Sequence, residues 1–368
     1  MSIAEEQKRT TKSERCSSIV VTAWSRGFRR RRALAVLMVF ALGGVLWLGA
    51  CDQATSPRQP LVVGTNVWPG YEPLYLARTL KFFGASGIKF AEYSSATQVL
   101  RAFRNGAIQV AALTLDEALL LHESGIDVCV ILVTDISNGG DAILVAPGID
   151  GLKHLKGKRI AVENTALGAY VLARALQRAE ISLADITVVS REIDEHESAV
   201  AGKDVDAVVT FEPVRSRLLA QGMTEVFDSS MIPGEIVDVL VVRRETLTSR
   251  SDQLTLLLEG WFKALRYFEE QPASAAKHMA PRLQMGPNEV LASYQGLLLP
   301  GFEENMRALG GPAPSLDGTV ARLAEVMKAL ALLDPSADLA GMASSDILMT
   351  LKNTRDPADS VRDFSEEK

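Results

Sequence analysis

Asp141-Ala142-Ile143-Leu144-Val145-Ala146 is echoed downstream by Asp238-Val239-Leu240-Val241-Val242-Arg243. Each stretch opens on an aspartate and continues as an apolar run of strand length. Between them lies a full series of strand and helix signals, and a similar series precedes the first. This is what a discontinuous domain requires: one strand crosses out to a second lobe and the other crosses back. The alternative is two ordinary core strands. The crossing reading places lobe 1 at residues 61–143 plus 240–350 and lobe 2 at 144–238.

Outward from this pair, short apolar runs alternate with helical patterns, the signature of βαβ units, an α/β class and a mainly parallel sheet. Strands are expected at 61–65, 88–93, 109–114 and 127–134, with helices at 74–83, 96–105 and 116–123. The second set has strands at 159–163, 186–190 and 206–211, and helices at 167–179, 195–201 and 214–221. Beyond Val242 the pattern is helical, at 253–270, 272–279, 288–298 and 316–332. The stretch 351–368 is charged, lacks apolar periodicity and reads as a disordered tail.

Ligands of open α/β sheets bind beyond the carboxyl ends of the strands, so those ends supply the candidate site. After the first strand comes Asn66-Val67-Trp68-Pro69-Gly70-Tyr71-Glu72-Pro73. There Trp68 and Tyr71 offer a stiff aromatic wall, or Trp68 is a lid on the core. Ser95 either contacts a ligand or caps the next helix. Asp116 either favours a helix N-terminus or points into the cleft. Asn138-Gly139-Gly140-Asp141 allows close backbone approach or hinge torsions. Thr165 stands in lobe 2 where Ser95 stands in lobe 1. Glu212 follows the aromatic Phe211 and is either a ligand contact or a charge favouring its helix.

The N-terminus has a different character. Arg29 to Arg32 precede a charge-free apolar stretch from Ala33 to Ala50, which ends in Leu48-Gly49-Ala50-Cys51. A basic segment, an apolar segment and small residues before a cysteine have the layout of a secretory signal. Leu-Gly-Ala-Cys resembles the bacterial lipobox, which implies lipidation of Cys51, a mature chain starting there and attachment to the extracytoplasmic face of a membrane. The other reading is an uncleaved span, for which eighteen residues at about 1.5 Å each barely suffice. Residues 51–60 are polar with two prolines and read as a linker.

Residues 1–50 hold nine of the 39 Lys/Arg and three of the 45 Asp/Glu, leaving a net charge of −12 on the remainder. Such an acidic surface disfavours nucleic acid as a partner. With Cys16 in the signal and Cys51 lipidated, only Cys129 remains, inside an apolar strand, so no disulfide framework is expected. The four histidines, His122, His154, His196 and His278, are dispersed without metal-ligand spacing. His196, among Asp194, Glu195 and Glu197, reads as a solvated helix residue. There is no phosphate-binding glycine loop and no supported Ser or Cys triad. No cofactor, no metal and no catalysis are expected.

Three segments carry a family resemblance. They are Val63-Gly64 through Trp68-Pro69-Gly70-Tyr71-Glu72-Pro73-Leu74-Tyr75-Leu76-Ala77, Asn138-Gly139-Gly140-Asp141-Ala142, and Ala201 through Phe211-Glu212-Pro213. In this order they resemble the nitrate/sulfonate/taurine and thiamine-precursor group of ABC-transporter substrate-binding proteins, over about Leu61 to Thr248. The resemblance implies a periplasmic-binding-protein type II fold, two α/β lobes joined by two crossing strands with a helical C-terminal part. It implies a monomer that captures a small organic ligand between its lobes and delivers it to an ABC permease. By position it puts Trp68, Tyr71, Ser95, Asp116, Asn138, Asp141, Thr165 and Glu212 around the cleft. The chain departs from the group at Phe211, where Trp is frequent, at Gly140, where Ala is common, and at Thr165-Ala166-Leu167, which is poor in hydroxyls for a sulfonate site. The carboxylates tilt the expected ligand towards a neutral or cationic molecule. An enzyme on the same fold and a ligand sensor for a membrane receptor are the alternative readings.

Overall fold

The apolar runs pair into two separate sheets. The structure, a computed structural model, describes residues 59–354. The first sheet contains β1 (Leu61–Thr65), β2 (Ile88–Glu92), β3 (Val110–Thr114), β4 (Val128–Ser137), β10 (Val237–Arg243) and the two-residue β11 (Leu297–Leu298), in the order β11-β4-β10-β3-β1-β2. The second contains β5 (Asp141–Val145), β6 (Arg159–Val162), β7 (Thr187–Ser190), β8 (Ala207–Phe211) and β9 (Thr224–Asp228), in the order β7-β6-β8-β5-β9. Strands β2-β1-β3 and β7-β6-β8 are parallel trios of the same winding. In each, the helix between successive strands covers the sheet, as a parallel crossover must.

The two like sequences occupy like places. β10 lies antiparallel on β3, and β5 lies antiparallel on β8. The opening aspartate of each strand therefore pairs with the carboxyl end of the third parallel strand: Asp238 with Thr114 and Asp141 with Phe211. Both strands are buried along nearly their whole length, which is why they read as continuous apolar runs. The expected lobe boundaries fell inside these strands, at 143/144 and 238/240. β5 and β10 each spend their full ladder in one sheet, and the chain passes between the sheets at residues 138–140 and 229–236. The two linking segments touch: the Ser137 amide donates to the Ile236 carbonyl at 3.0 Å, and Ser229 Oγ meets Ser137 Oγ at 2.8 Å and the Gly139 amide at 2.6 Å.

Helix α1 (Glu72–Thr79) follows the aromatic loop, and Pro73 presets its first turn. In α2 (Ala96–Arg104), Ser95 Oγ accepts from the Gln98 amide at 3.3 Å while Val99, Ala102 and Phe103 form the buried stripe. Helix α3 (Leu115–Glu123) starts where the Glu117 carboxylate accepts from the Thr114 amide at 3.2 Å. Helix α4 (Ala166–Ala179) is capped by Thr165, whose Oγ1 accepts from Gly168 N at 3.3 Å, and stops at Glu180 with φ 58°. Helices α5 (His196–Ala201) and α6 (Val214–Ala220) complete the second lobe.

The C-terminal part is helical: α7 (Arg244–Ser249), α8 (Ser251–Glu270), α9 (Pro272–Leu283), α10 (Pro287–Ser293), α11 (Phe302–Leu309), α12 (Ser315–Ala329) and α13 (Asp346–Thr354). Several expectations change here. The helix expected at 288–298 stops at Ser293, and its last residues form β11 on β4. The helix expected to stop at Met279 runs to Leu283 despite Pro281, because Met279, Ala280 and Leu283 stay buried against the core. The expected tail from 351 is helical to Thr354, anchored by buried Leu348 and Leu351; the rest of it lies outside the described residues. The signal segment, Cys51 and most of the linker also lie outside them. His196 is fully buried, not solvated: its Nδ1 meets Thr210 Oγ1 at 3.3 Å, and burial lowers its pKa to about 4. Its acidic neighbours face other partners, with Glu197 on Arg217 and Glu195 on the Glu192 amide.

Candidate functional site

The carboxyl ends of the two parallel trios converge on one cleft. Asn66, Trp68, Tyr71, Thr114, Glu117 and Asp238 line it from the first sheet, and Asp141, Glu163, Thr165, Leu167, Thr210 and Phe211 from the second. It is a narrow, nearly closed slot with an enclosed volume of about 30 Å³, on the scale of bound water, so an organic guest needs the slot to widen.

Trp68 is set by its surroundings. Its Nε1 donates to both carboxylate oxygens of Asp135, at 3.2 Å each. A Cβ on Gly70 would fall 1.9 Å from an Asp135 oxygen and 2.5 Å from Trp68 Nε1, and one on Gly140 would fall 2.7 Å from Trp68 Cη2. The two glycines make room for the ring and its bond. Phe211 meets Trp68 edge to face with centroids 5.8 Å apart. The Tyr71 hydroxyl donates to Asp238, so both members of this buried pair line the slot. Behind the loop, Arg282 of α9 binds Glu72, Glu92 at 3.1 Å and the Asn66 carbonyl at 3.0 Å, and its guanidinium lies 3.5 Å over the Tyr75 ring.

Of the expected site residues, Trp68, Tyr71, Asp141 and Thr165 line the cleft together. The other four do not line it. Ser95 is buried beside the cleft, and its Oγ donates to Glu192 of the other lobe at 2.6 Å. Asp116 is buried with one unpartnered oxygen. The Asn138 side chain is exposed; its amide donates to the Gly296 carbonyl at 2.8 Å within the linking segment. Glu212 turns back on its own helix, accepting from Arg215 at 2.8 Å and from the Ser216 hydroxyl and amide. Its acidity is consumed there. Glu117, Glu163, Asp238 and Asn66 were missed. Asp238 had a signal, since it heads the strand that mirrors the one begun by Asp141.

The electrostatics are one-sided. Burial pushes the Glu117 carboxyl up to about 8, helped by the charges of Asp116 and Glu163. Burial likewise raises Asp141 to about 7, Asp135 to about 7 and Asp116 to about 6. Asp238 lies well above the usual carboxylate range, first from burial and then from Asp135. Glu163 is raised by burial, though it accepts from the Thr97 amide and hydroxyl across the lobes at 2.9 and 3.0 Å. Among the described residues no lysine, arginine, histidine, serine or cysteine lines the slot.

The sequence model of the NMT1-like family matches residues 54–283, well over half of the chain. The chain belongs to the NMT1-like family. A comparison with curated proteins finds no match. Among solved structures, this NMT1-like chain resembles the alkanesulfonate-binding protein SsuA from Xanthomonas axonopodis pv. citri bound to MOPS: TM-score 0.63 and 19% identity over 75% of this chain and 95% of that one. It is similar to the periplasmic aliphatic sulphonate binding protein SsuA from Escherichia coli, with TM-score 0.62 and 18% identity over 79% and 99% of the two chains. It is also similar to the desulfurization enzyme DSZB, with TM-score 0.60 and 17% identity over 80% and 99%. At such identities the likeness establishes the shared periplasmic-binding-protein fold. Among the described residues no helix is long and apolar enough to cross a membrane.

Proposed function

We propose that the protein is an extracytoplasmic solute-binding lipoprotein, tethered through Cys51, that captures a small organic molecule between its lobes and delivers it to an ABC permease. One observation carries this reading: residues from both lobes, Trp68 and Tyr71 from one and Asp141 and Thr165 from the other, line a single slot. A ligand there touches both lobes only when they are together, so it favours that arrangement by its differential contacts. The linking segments 138–140 and 229–236 are the hinge, and the lobes divide there. The sulfonate-binding proteins of this fold support a transport role. The desulfurization enzyme of the same fold keeps catalysis as the second reading.

The test is small-angle scattering of residues 51–368 with and without a compound identified by native mass spectrometry of the purified protein. A fall in radius of gyration with unchanged ligand on recovery supports capture. Conversion of the compound turns the reading to catalysis, and no change of shape with any compound removes it.

A further inference from the structure

We infer that the ligand is an organic cation, a protonated amine or quaternary ammonium beside an apolar or aromatic portion. This deepens the solute-binding reading and rests on it.

Four carboxylate side chains line the slot: Glu117, Asp141, Glu163 and Asp238. Asp116 and Asp135 stand buried behind them. The lining offers these groups no cation. The guanidiniums nearby are engaged: Arg215 binds Glu212 and Glu225, and Arg282 binds Glu72 and Glu92. Buried carboxylates are ordinarily paired. Glu117 is 2% exposed, and its Oε1 has no hydrogen-bond partner among the described residues. This unpartnered acceptor belongs to a side chain that lines the slot, while its other oxygen fixes the start of α3. The neighbouring walls are aromatic, from Trp68, Tyr71 and Phe211. Aromatic faces beside carboxylates are what an alkylammonium group needs: ring faces attract it and the carboxylate takes its proton donors or its charge.

A metal ion is not the cation in question. Among the described residues no three His, Cys, Asp or Glu side chains converge as a metal site. A sulfonate or other anion meets four carboxylate side chains and no positive group, and the Thr165 turn offers it Leu167 where a second hydroxyl would help. Burial favours the protonated form of these acids in the empty slot; an anion would hold those protons in place, whereas an ammonium group releases them and pairs with the charge.

The experiment is calorimetric titration and thermal shift on residues 51–368, using benzylamine, choline and putrescine against benzyl alcohol, taurine and methanesulfonate. An ammonium probe at a hundredfold excess over its Kd is expected to raise Tm by about 5 °C. Benzyl alcohol, the neutral counterpart of benzylamine, is expected to bind at least tenfold more weakly. Glu117→Gln keeps the carbonyl that α3 needs and removes the charge; it is expected to weaken ammonium binding at least tenfold with little change in Tm of the free protein. Tighter binding of a sulfonate or of benzyl alcohol than of any amine overturns the inference and leaves solute binding standing. Ammonium binding unaffected by Glu117→Gln and by Asp141→Asn also overturns it. If neither this panel nor the native mass spectrum yields any bound molecule, the solute-binding reading falls and the inference with it.

Discussion

Gly140→Ala places a methyl group 2.7 Å from Trp68 Cη2, 3.2 Å from Leu297 Cδ2 and 3.3 Å from Ser137 Oγ. Carbon atoms in contact prefer about 3.5–4.0 Å, so the indole must retreat by most of an ångström. It has little freedom to do so, since Nε1 is fixed on Asp135 and the ring edge is packed by Phe211. Overpacking of this kind costs about 1–3 kcal/mol. The φ angle of Gly140 is not in the left-handed region, so alanine itself is tolerated there and gains about 0.4–1 kcal/mol by restricting the unfolded chain. Trp68→Phe removes the outer ring carbons and with them the clash. It costs about 1–3 kcal/mol on its own, because Asp135 loses a donor. The expectation is a change of sign: Gly140→Ala destabilises the native protein but is neutral or stabilising beside Trp68→Phe. Urea unfolding of the four proteins followed by far-ultraviolet circular dichroism, with equal m-values, measures this. Equal costs of Gly140→Ala in both backgrounds, within about 0.5 kcal/mol, would refute the packing argument.

Other outcomes follow from the same geometry. Stability is expected to fall as pH rises from about 4 to about 8. Asp116, Asp135, Asp141, Glu117 and Glu72 all have folded pKa values raised, to between about 6 and about 8, so the folded state holds protons that the unfolded state has lost. His196, depressed to about 4, acts oppositely, adding stability as pH rises from about 4 to its unfolded value near 6.5. A Tm profile that climbs steadily from pH 6.5 to 8.5 would contradict the burial of the acids. Arg282→Met strands the buried Glu72 and is expected to cost about 3–5 kcal/mol in chemical denaturation, with much of it restored by adding Glu72→Gln. Ser229→Ala deprives Ser137 and the Gly139 amide of a partner. A loss of about 1–2 kcal/mol and faster amide exchange at residues 137–140 are expected; unchanged exchange there would show that Ser229 does not fasten the hinge.

The architecture was legible because periodicity is a local property. The strands from β1 to β8 and the Asp-headed pair announce themselves as apolar runs between turns. β9, Thr224-Glu225-Val226-Phe227-Asp228, in which only Phe227 is fully buried, has no such run and exists because β5 offers an edge. The site was half legible for the same reason. Loop aromatics and strand-heading aspartates mark themselves, and Trp68, Tyr71 and Asp141 line the slot. Glu117 looks like any acid in a first helical turn, and half of it is one. Glu163 looks like the end of a strand. Glu212 had the better sequence context, yet Arg215, three residues on, takes its charge. Whether a carboxylate is free or engaged depends on where neighbours fall in space. Asn138 is exposed and does not line the slot; of the glycines after it, Gly140 makes room for Trp68 and Gly139 lies against Gly296.

Glu163 stands at two junctions at once: its side chain borders the slot, and one of its oxygens ties the start of α2 in the opposite lobe through Thr97. A guest that draws this carboxylate inward must bargain with the fastening that holds the halves together. Under the proposed solute-binding function, grip on the cargo and tightness of the jaws become the same variable, and prying Thr97 away would loosen both in one stroke.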